Sequence, residues 1–216
     1  VGPWDLMANG FVHMGAHMKR KYSKNKWISQ IPTISEPGEY TLNPITSSEN
    51  NAYRINSPNS SSQYFVLEYR RKTGLYEGNI PGSGLIVYRI NTTAGDGNAS
   101  GPPDEVYVYR PNGTTTVNGN INQAFFSAGS GRTSITDNTN PSSFLANGDP
   151  GGLNIINITE AGETISFTIS EKVGYVLTLK AQPWSAGTCD DLTNTPPYTE
   201  GTEVTIKATP IEGYGF

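Results

Sequence analysis

The chain has 216 residues and a net charge of −4, with only 16% charged residues but 24 Gly and 15 Pro. No stretch approaches the roughly 18 consecutive apolar residues a membrane span needs, and no basic stripe with interleaved aromatics extends beyond Lys19-Arg20-Lys21. These facts exclude a membrane-spanning helix and argue against nucleic acid as a partner. Short β-branched and aromatic runs are cut repeatedly by Gly, Pro, Asn and Asp, the profile of an extracellular, mainly β protein. The single cysteine, Cys189, has no internal disulfide partner and reads as a strand residue rather than a reactive thiol.

Residues 1 to 35 differ from the rest and hold all three Met, both His and two of the three Trp. Ala16 to Lys24 lacks Pro and Gly and mixes good helix formers with a few apolar positions, so the one α-helix is expected there, between His13 and Lys26. Strand patterns follow at Gly38 to Leu42, Asn51 to Ile55, Tyr64 to Arg70, Gly84 to Ile90, Glu105 to Tyr109, Ile121 to Phe126, Leu153 to Ile158 and Thr164 to Ile169. Strands at this spacing predict an antiparallel two-sheet β-sandwich of the jelly-roll kind over residues 36 to 171. Two long interruptions, Asn91 to Asp104 and Ser127 to Pro150, are rich in Gly, Asn, Asp and Ser and read as exposed loops.

After Lys172 a second, smaller β module is expected over residues 174 to 216, with strands from Tyr175 to Leu179 and Glu200 to Ile206. Its order of Tyr175-Val176-Leu177-Thr178, Gly187-Thr188, Gly201-Thr202-Glu203-Val204-Thr205 and Ala208-Thr209-Pro210 through Phe216 resembles the bacterial surface repeats related to the internalin B repeat. The chain begins at Val1 with neither Met nor signal peptide and stops inside a strand-like pattern, and so reads as a fragment.

The most informative segment is Trp4-Asp5-Leu6-Met7-Ala8-Asn9-Gly10. A Met in a tight turn beside a Trp serves either as plain core or as the apolar floor beneath a metal site. WDLMANG resembles the Met-turn of the immune inhibitor A family of secreted zinc proteases. In the family's order there follow His17-Met18, Ser23-Lys24 and Trp27-Ile28, then GEYTL at 38–42, YFVLEYR at 64–70 and PGSGLIVY at 81–88. Asn91 stands where the family often has an acid, so no role for that acid is carried over. The resemblance implies that residues 1–35 are the end of a metalloprotease catalytic domain, with Trp4, Asp5 and Met7 supporting the turn and His17 on the cleft wall. It further implies a secreted or cell-surface parent that hydrolyses protein or peptide substrates with a zinc-activated water.

Such a protease needs H-E-x-x-H on a helix, so that two imidazoles bind zinc while the Glu activates water. The chain has no such motif; zinc belongs to the parent, and the chain alone is expected to be inactive. His13 and His17 stand at the i, i+4 spacing of a zinc pair, but Gly15 weakens the helix between them and no Glu follows His13. They read better as surface or cleft-wall histidines. Glu68 and Arg70, two apart on a strand, share a face and are expected to pair. Asp96 and Asp104 in the first loop, and Asp137 and Asp149 in the second, sit among Asn side chains and carbonyls that offer oxygens to a calcium ion. The spacing is no recognised calcium loop, and solvated loops are the competing reading. A second functional class is open: an adhesive or carbohydrate-binding module, marked by an exposed strip of aromatics for which Tyr69, Tyr88, Tyr107 and Tyr109 are the candidates.

Overall fold

The computed structural model describes all residues except 24–26, 29, 171–176, 194–197, 199–201 and 215–216. The chain divides into two compact units, Val1–Ser170 and Glu171–Phe216. It is mainly β.

The first unit opens with two short helices, α1 at Leu6–Asn9 and α2 at Ala16–Tyr22. The second lies where helix-forming residues predict it; the first is an additional helix, started by the Asp5 side chain and closed by Gly10 in the left-handed region at φ 74°. The strands are β1 at Thr33–Ile34, β2 at Gly38–Leu42, β3 at Ala52–Asn56, β4 at Gln63–Arg70, β5 at Gly84–Asn91, β6 at Val106–Val108, β7 at Ile155–Ile156 and β8 at Ile165–Ile169. They form a five-stranded sheet of order β1-β3-β4-β5-β6 and a three-stranded sheet of order β2-β8-β7. All pairings are antiparallel except that of β1 with β3.

The two sheets enclose one core. Phe65, Leu67 and Tyr69 of β4, with Leu85 and Val87 of β5, meet Leu42, Ile155, Ile165 and Phe167 from the smaller sheet. The alternate residues Val66, Ile86, Tyr88, Ile90, Val106 and Val108 form a second cluster with Trp4, Val12, Met14, Ala16 and Met18. The larger sheet is thus covered on both faces, by the small sheet on one side and the N-terminal segment on the other. That is why β5 is buried along its whole length and why YFVLEYR and GLIVYRI read as nearly continuous apolar runs.

Two expectations need correction. Ile121 to Phe126 is not a strand: Ile121–Gln123 forms a 3-10 turn, and only Phe126 bridges to Leu85. Asn122 and Gln123 are consecutive exposed polar residues, which breaks the period of two. The stretch from Ser127 to Pro150 is not merely a solvated loop either, because Ile135 and Phe144 enter the core between the sheets. Its backbone is satisfied there by the Ile135–Ile155 and Phe144–Pro150 bridges and by Ser143 N–H donating to Thr136 O.

In the second unit, β9 at Gly187–Asp191 pairs antiparallel with β10 at Ile206–Pro210. Cys189 lies on β9 opposite Ala208. Of the strand expected at Tyr175 to Leu179, residues 175 and 176 lie outside the described residues, and 177–179 are not in a strand. Of that expected at Glu200 to Ile206, residues 200 and 201 lie outside the described residues, and strand pairing starts only at Ile206.

Candidate functional site

The WDLMANG segment is held from inside. Trp4 is fully buried, its indole Nε1 donating to Ile121 O at 2.6 Å. Asp5 is buried and joins two backbone segments: Oδ1 accepts from Met7 N–H at 2.9 Å, capping α1, and Oδ2 accepts from Gly15 N–H at 2.8 Å, just ahead of α2. Four residues make barely one helical turn, so with Trp4 and Asp5 pointing in, Leu6, Met7 and Ala8 point out. Met7 is 72% exposed. Of the two roles open to a Met in this turn, plain core is therefore excluded for Met7; Met14 and Met18, not Met7, share the apolar cluster with Trp4. Phe11, Leu75 and Tyr76 are exposed as well, and Asn79 Nδ2 ties them together, 3.2 Å from each of their carbonyl oxygens.

Beneath this turn lies a buried charge network on the outer face of β4. Arg70 is bidentate to Glu77, with Nε to Oε2 and Nη2 to Oε1 both at 2.7 Å, and its Nη1 donates to Glu68 Oε1 at 3.1 Å and to the Trp4 carbonyl. Arg70 Nη2 also reaches His13 O at 3.2 Å. Glu68 Oε1 accepts from the Tyr88 hydroxyl at 2.6 Å, and its Oε2 accepts from Ala16 N–H at 2.6 Å. Full burial pushes the Glu68 carboxyl upward against the pull of Arg70, and drives the Tyr88 phenol up as well. Gly15 fits tightly at this junction: a Cβ there would lie 3.2 Å from the Tyr88 hydroxyl and 3.3 Å from Asp5 Oδ2, so a larger residue would make these groups give way by a few tenths of an ångström. The expected pairing of Glu68 with Arg70 is present, and its work is to fasten the N-terminal segment to the sheet. Glu77 joins it from a 3-10 turn that gives no sequence signal of such a role.

His13 and His17 do not form an i, i+4 pair on a helix, because α2 begins only at Ala16. The His13 ring packs edge-on against Tyr76. His17 lies between Glu105, with Nε2 to Oε1 at 3.3 Å, and the Tyr64 hydroxyl, 3.4 Å from Nδ1. Burial lowers the His17 pKa, opposed by Glu105. Lys21 Nζ reaches both oxygens of Glu105, at 2.6 and 2.7 Å, and also Asp96. Burial works against its charge, but these two carboxylates win and raise its pKa. A cavity of about 240 Å³ opens beside them, walled by His17, Arg20, Lys21, Arg54 and Tyr64, with the Arg54 guanidinium stacked 3.8 Å from the centre of the Tyr64 ring.

The four aspartates considered for calcium go to different duties. Asp96 meets Lys21 and the Tyr22 hydroxyl. Asp104 lines a separate cavity beside Gly101. Asp137 Oδ1 accepts from Ser143 Oγ at 2.6 Å and Gly152 N–H at 2.9 Å, and Asp149 Oδ2 accepts from Asn147 Nδ2 at 2.5 Å. Among the described residues, no three His, Cys, Asp or Glu side chains converge in a way that could hold a metal ion. The described residues therefore do not fit a zinc site. No protein-family model, curated protein or solved structure matches the chain.

Proposed function

We propose that this chain is the part of a secreted zinc metalloendopeptidase of the immune inhibitor A type that runs from the Met-turn onward, followed by a segment like an internalin B repeat. The observation that carries the reading is the WDLM turn. Trp4 and Asp5 anchor it in the protein, while Leu6 and Met7 are exposed, as are Phe11, Leu75 and Tyr76. That apolar surface suits a covering segment better than water, and in this reading the cover is the zinc-binding helix. Zinc ligands and general base then come from residues outside this chain, which by itself cleaves nothing. Substrates are proteins or peptides, and His17 belongs to the wall rather than to the chemistry.

The rival class, an adhesive or carbohydrate-binding module, loses its support in the sequence: Tyr69, Tyr88, Tyr107 and Tyr109 are all buried. The direct test is the coding sequence ahead of Val1. An H-E-x-x-H within roughly 100 residues upstream, together with loss of zinc retention and peptidase activity in a Met7→Ala variant of the whole protein whose sandwich stays folded, supports the proposal. A β-rich module without that motif sinks it.

A further inference from the structure

On β5, Leu85 and Val87 face the core between the sheets, and Arg89 is the next residue on that face, opposite Tyr107 of β6. Arg89 is 3% exposed, and among the described residues no carboxylate forms an ion pair with it. Nη1 donates to Phe144 O at 3.3 Å, Nε has no acceptor, and the guanidinium lies 4.9 Å from the Tyr107 ring centre and 5.4 Å from that of Phe144. The Tyr107 hydroxyl is likewise buried without a partner. Aromatic faces offset part of the cost of burying a cation, but not the loss of water from an uncompensated charge. Burial accordingly lowers the Arg89 pKa.

Arg89 lines a cavity of about 450 Å³, together with Asp104, Tyr107, Arg110, Thr115 and Asn118. The Arg110 guanidinium stacks on the same Tyr107 ring, 4.4 Å from its centre. Two arginines and one aspartate leave the walls with a single positive charge. We propose that this cavity binds a small carboxylate-bearing polar molecule, its carboxylate facing Arg89 and its polar body against the Thr115 and Asn118 wall. A guanidinium fork matches a carboxylate in shape, and a site of net charge +1 carrying Asp104 suits a monoanion better than a phosphate dianion. The volume falls within the range of small-molecule sites. An acidic sugar and an acidic amino-acid side chain present the same group.

Titration calorimetry on the full chain at low salt, with D-glucuronate and N-acetyl-aspartyl N-methylamide, each a monoanion with a single carboxylate, separates these two sources. At least one should bind saturably, and its neutral counterpart, glucose or N-acetyl-asparaginyl N-methylamide, about tenfold more weakly or not at all. Arg89→Met and Arg110→Gln should weaken binding. Because Arg89→Met can also disturb folding, the decisive variant is Asp104→Asn, which should tighten binding by removing the opposing charge, a gain that no folding defect imitates. No saturable binding of either carboxylate, equal binding of the neutral counterpart, tighter binding of inorganic phosphate, or an unchanged affinity in Asp104→Asn would each overturn the proposal.

Discussion

Met7 and Trp4 stand three positions apart in one turn, yet they belong to opposite environments. Trp4 is wholly buried and hydrogen-bonded through its indole, whereas Met7 is 72% exposed. In equilibrium urea unfolding, Trp4→Ala should therefore cost about 3–5 kcal/mol, and Met7→Ala should stay within about 0.5 kcal/mol. A loss of several kcal/mol for Met7 would make it ordinary core and remove the main support for the protease reading. His17 gives a prediction in pH. Its folded pKa is lowered by burial, and that of His13 by burial as well, while the unfolded chain takes up these protons near pH 6.5. Below that value the unfolded state binds more protons than the folded one, so stability must fall as pH drops through it. His17→Gln should flatten the decline in melting temperature between about pH 7 and pH 5; a profile identical to that of the parent would falsify this account. At residue scale the sequence showed that Glu68 and Arg70 share a strand face, since alternation follows from backbone geometry alone. At His13 and His17 the i, i+4 spacing does not make a common helix face, as the glycine between them already argued. The backbone at Gly15, packed against the oxygens of Asp5, Glu68 and Tyr88, delays the helix until Ala16.

At the scale of elements, β4 is the center of the first unit: one face builds the core between the sheets and the other carries two charged residues into a buried interface. Replacing Arg70 by Leu removes the cationic partner of both Glu68 and Glu77 while leaving their carboxylates buried. That should destabilise by about 3–5 kcal/mol, measured by urea unfolding. Adding Glu77→Gln to Arg70→Leu should recover part of the loss, because one of the stranded charges is gone. The strands themselves were legible wherever an alternating or a continuous apolar run was uninterrupted: β2, β3, β4, β5 and β8 lie within a residue or so of their expected limits. Two kinds of element were hidden. Thr33–Ile34 is too short to show a period, and pairs in parallel with β3 only because the chain returns alongside it. Ile135 is a lone apolar residue and Phe144-Leu145 an isolated apolar pair in polar surroundings, and only the tertiary fold tells such residues apart from exposed ones. Arg89 is the opposite case, a solitary cation inside the apolar run GLIVYRI; that mismatch is the one trace of the cavity visible in the sequence.

For the first unit as a whole, the N-terminal segment is a structural layer rather than an appendage. Trp4, Val12, Met14, Ala16 and Met18 cover the face of the large sheet made by Val66, Ile86, Tyr88 and Ile90. Expressed alone, residues 36–170 would present that face, with Glu68 and Arg70, to water. Such a truncated protein should bind hydrophobic dye and melt broadly, while residues 1–170 melt in one cooperative transition; a sharp melt of the shorter version would show that the sandwich stands without its cover. This layer was the least legible feature, because covering a sheet from far along the chain leaves no local pattern beyond scattered apolar residues. Its consequence reaches beyond stability to inheritance. A gene-shuffling event that transplanted only the sandwich would deliver a protein with a raw, charged flank, so the smallest piece that can travel between genomes as a working unit includes the WDLM turn and the strands together.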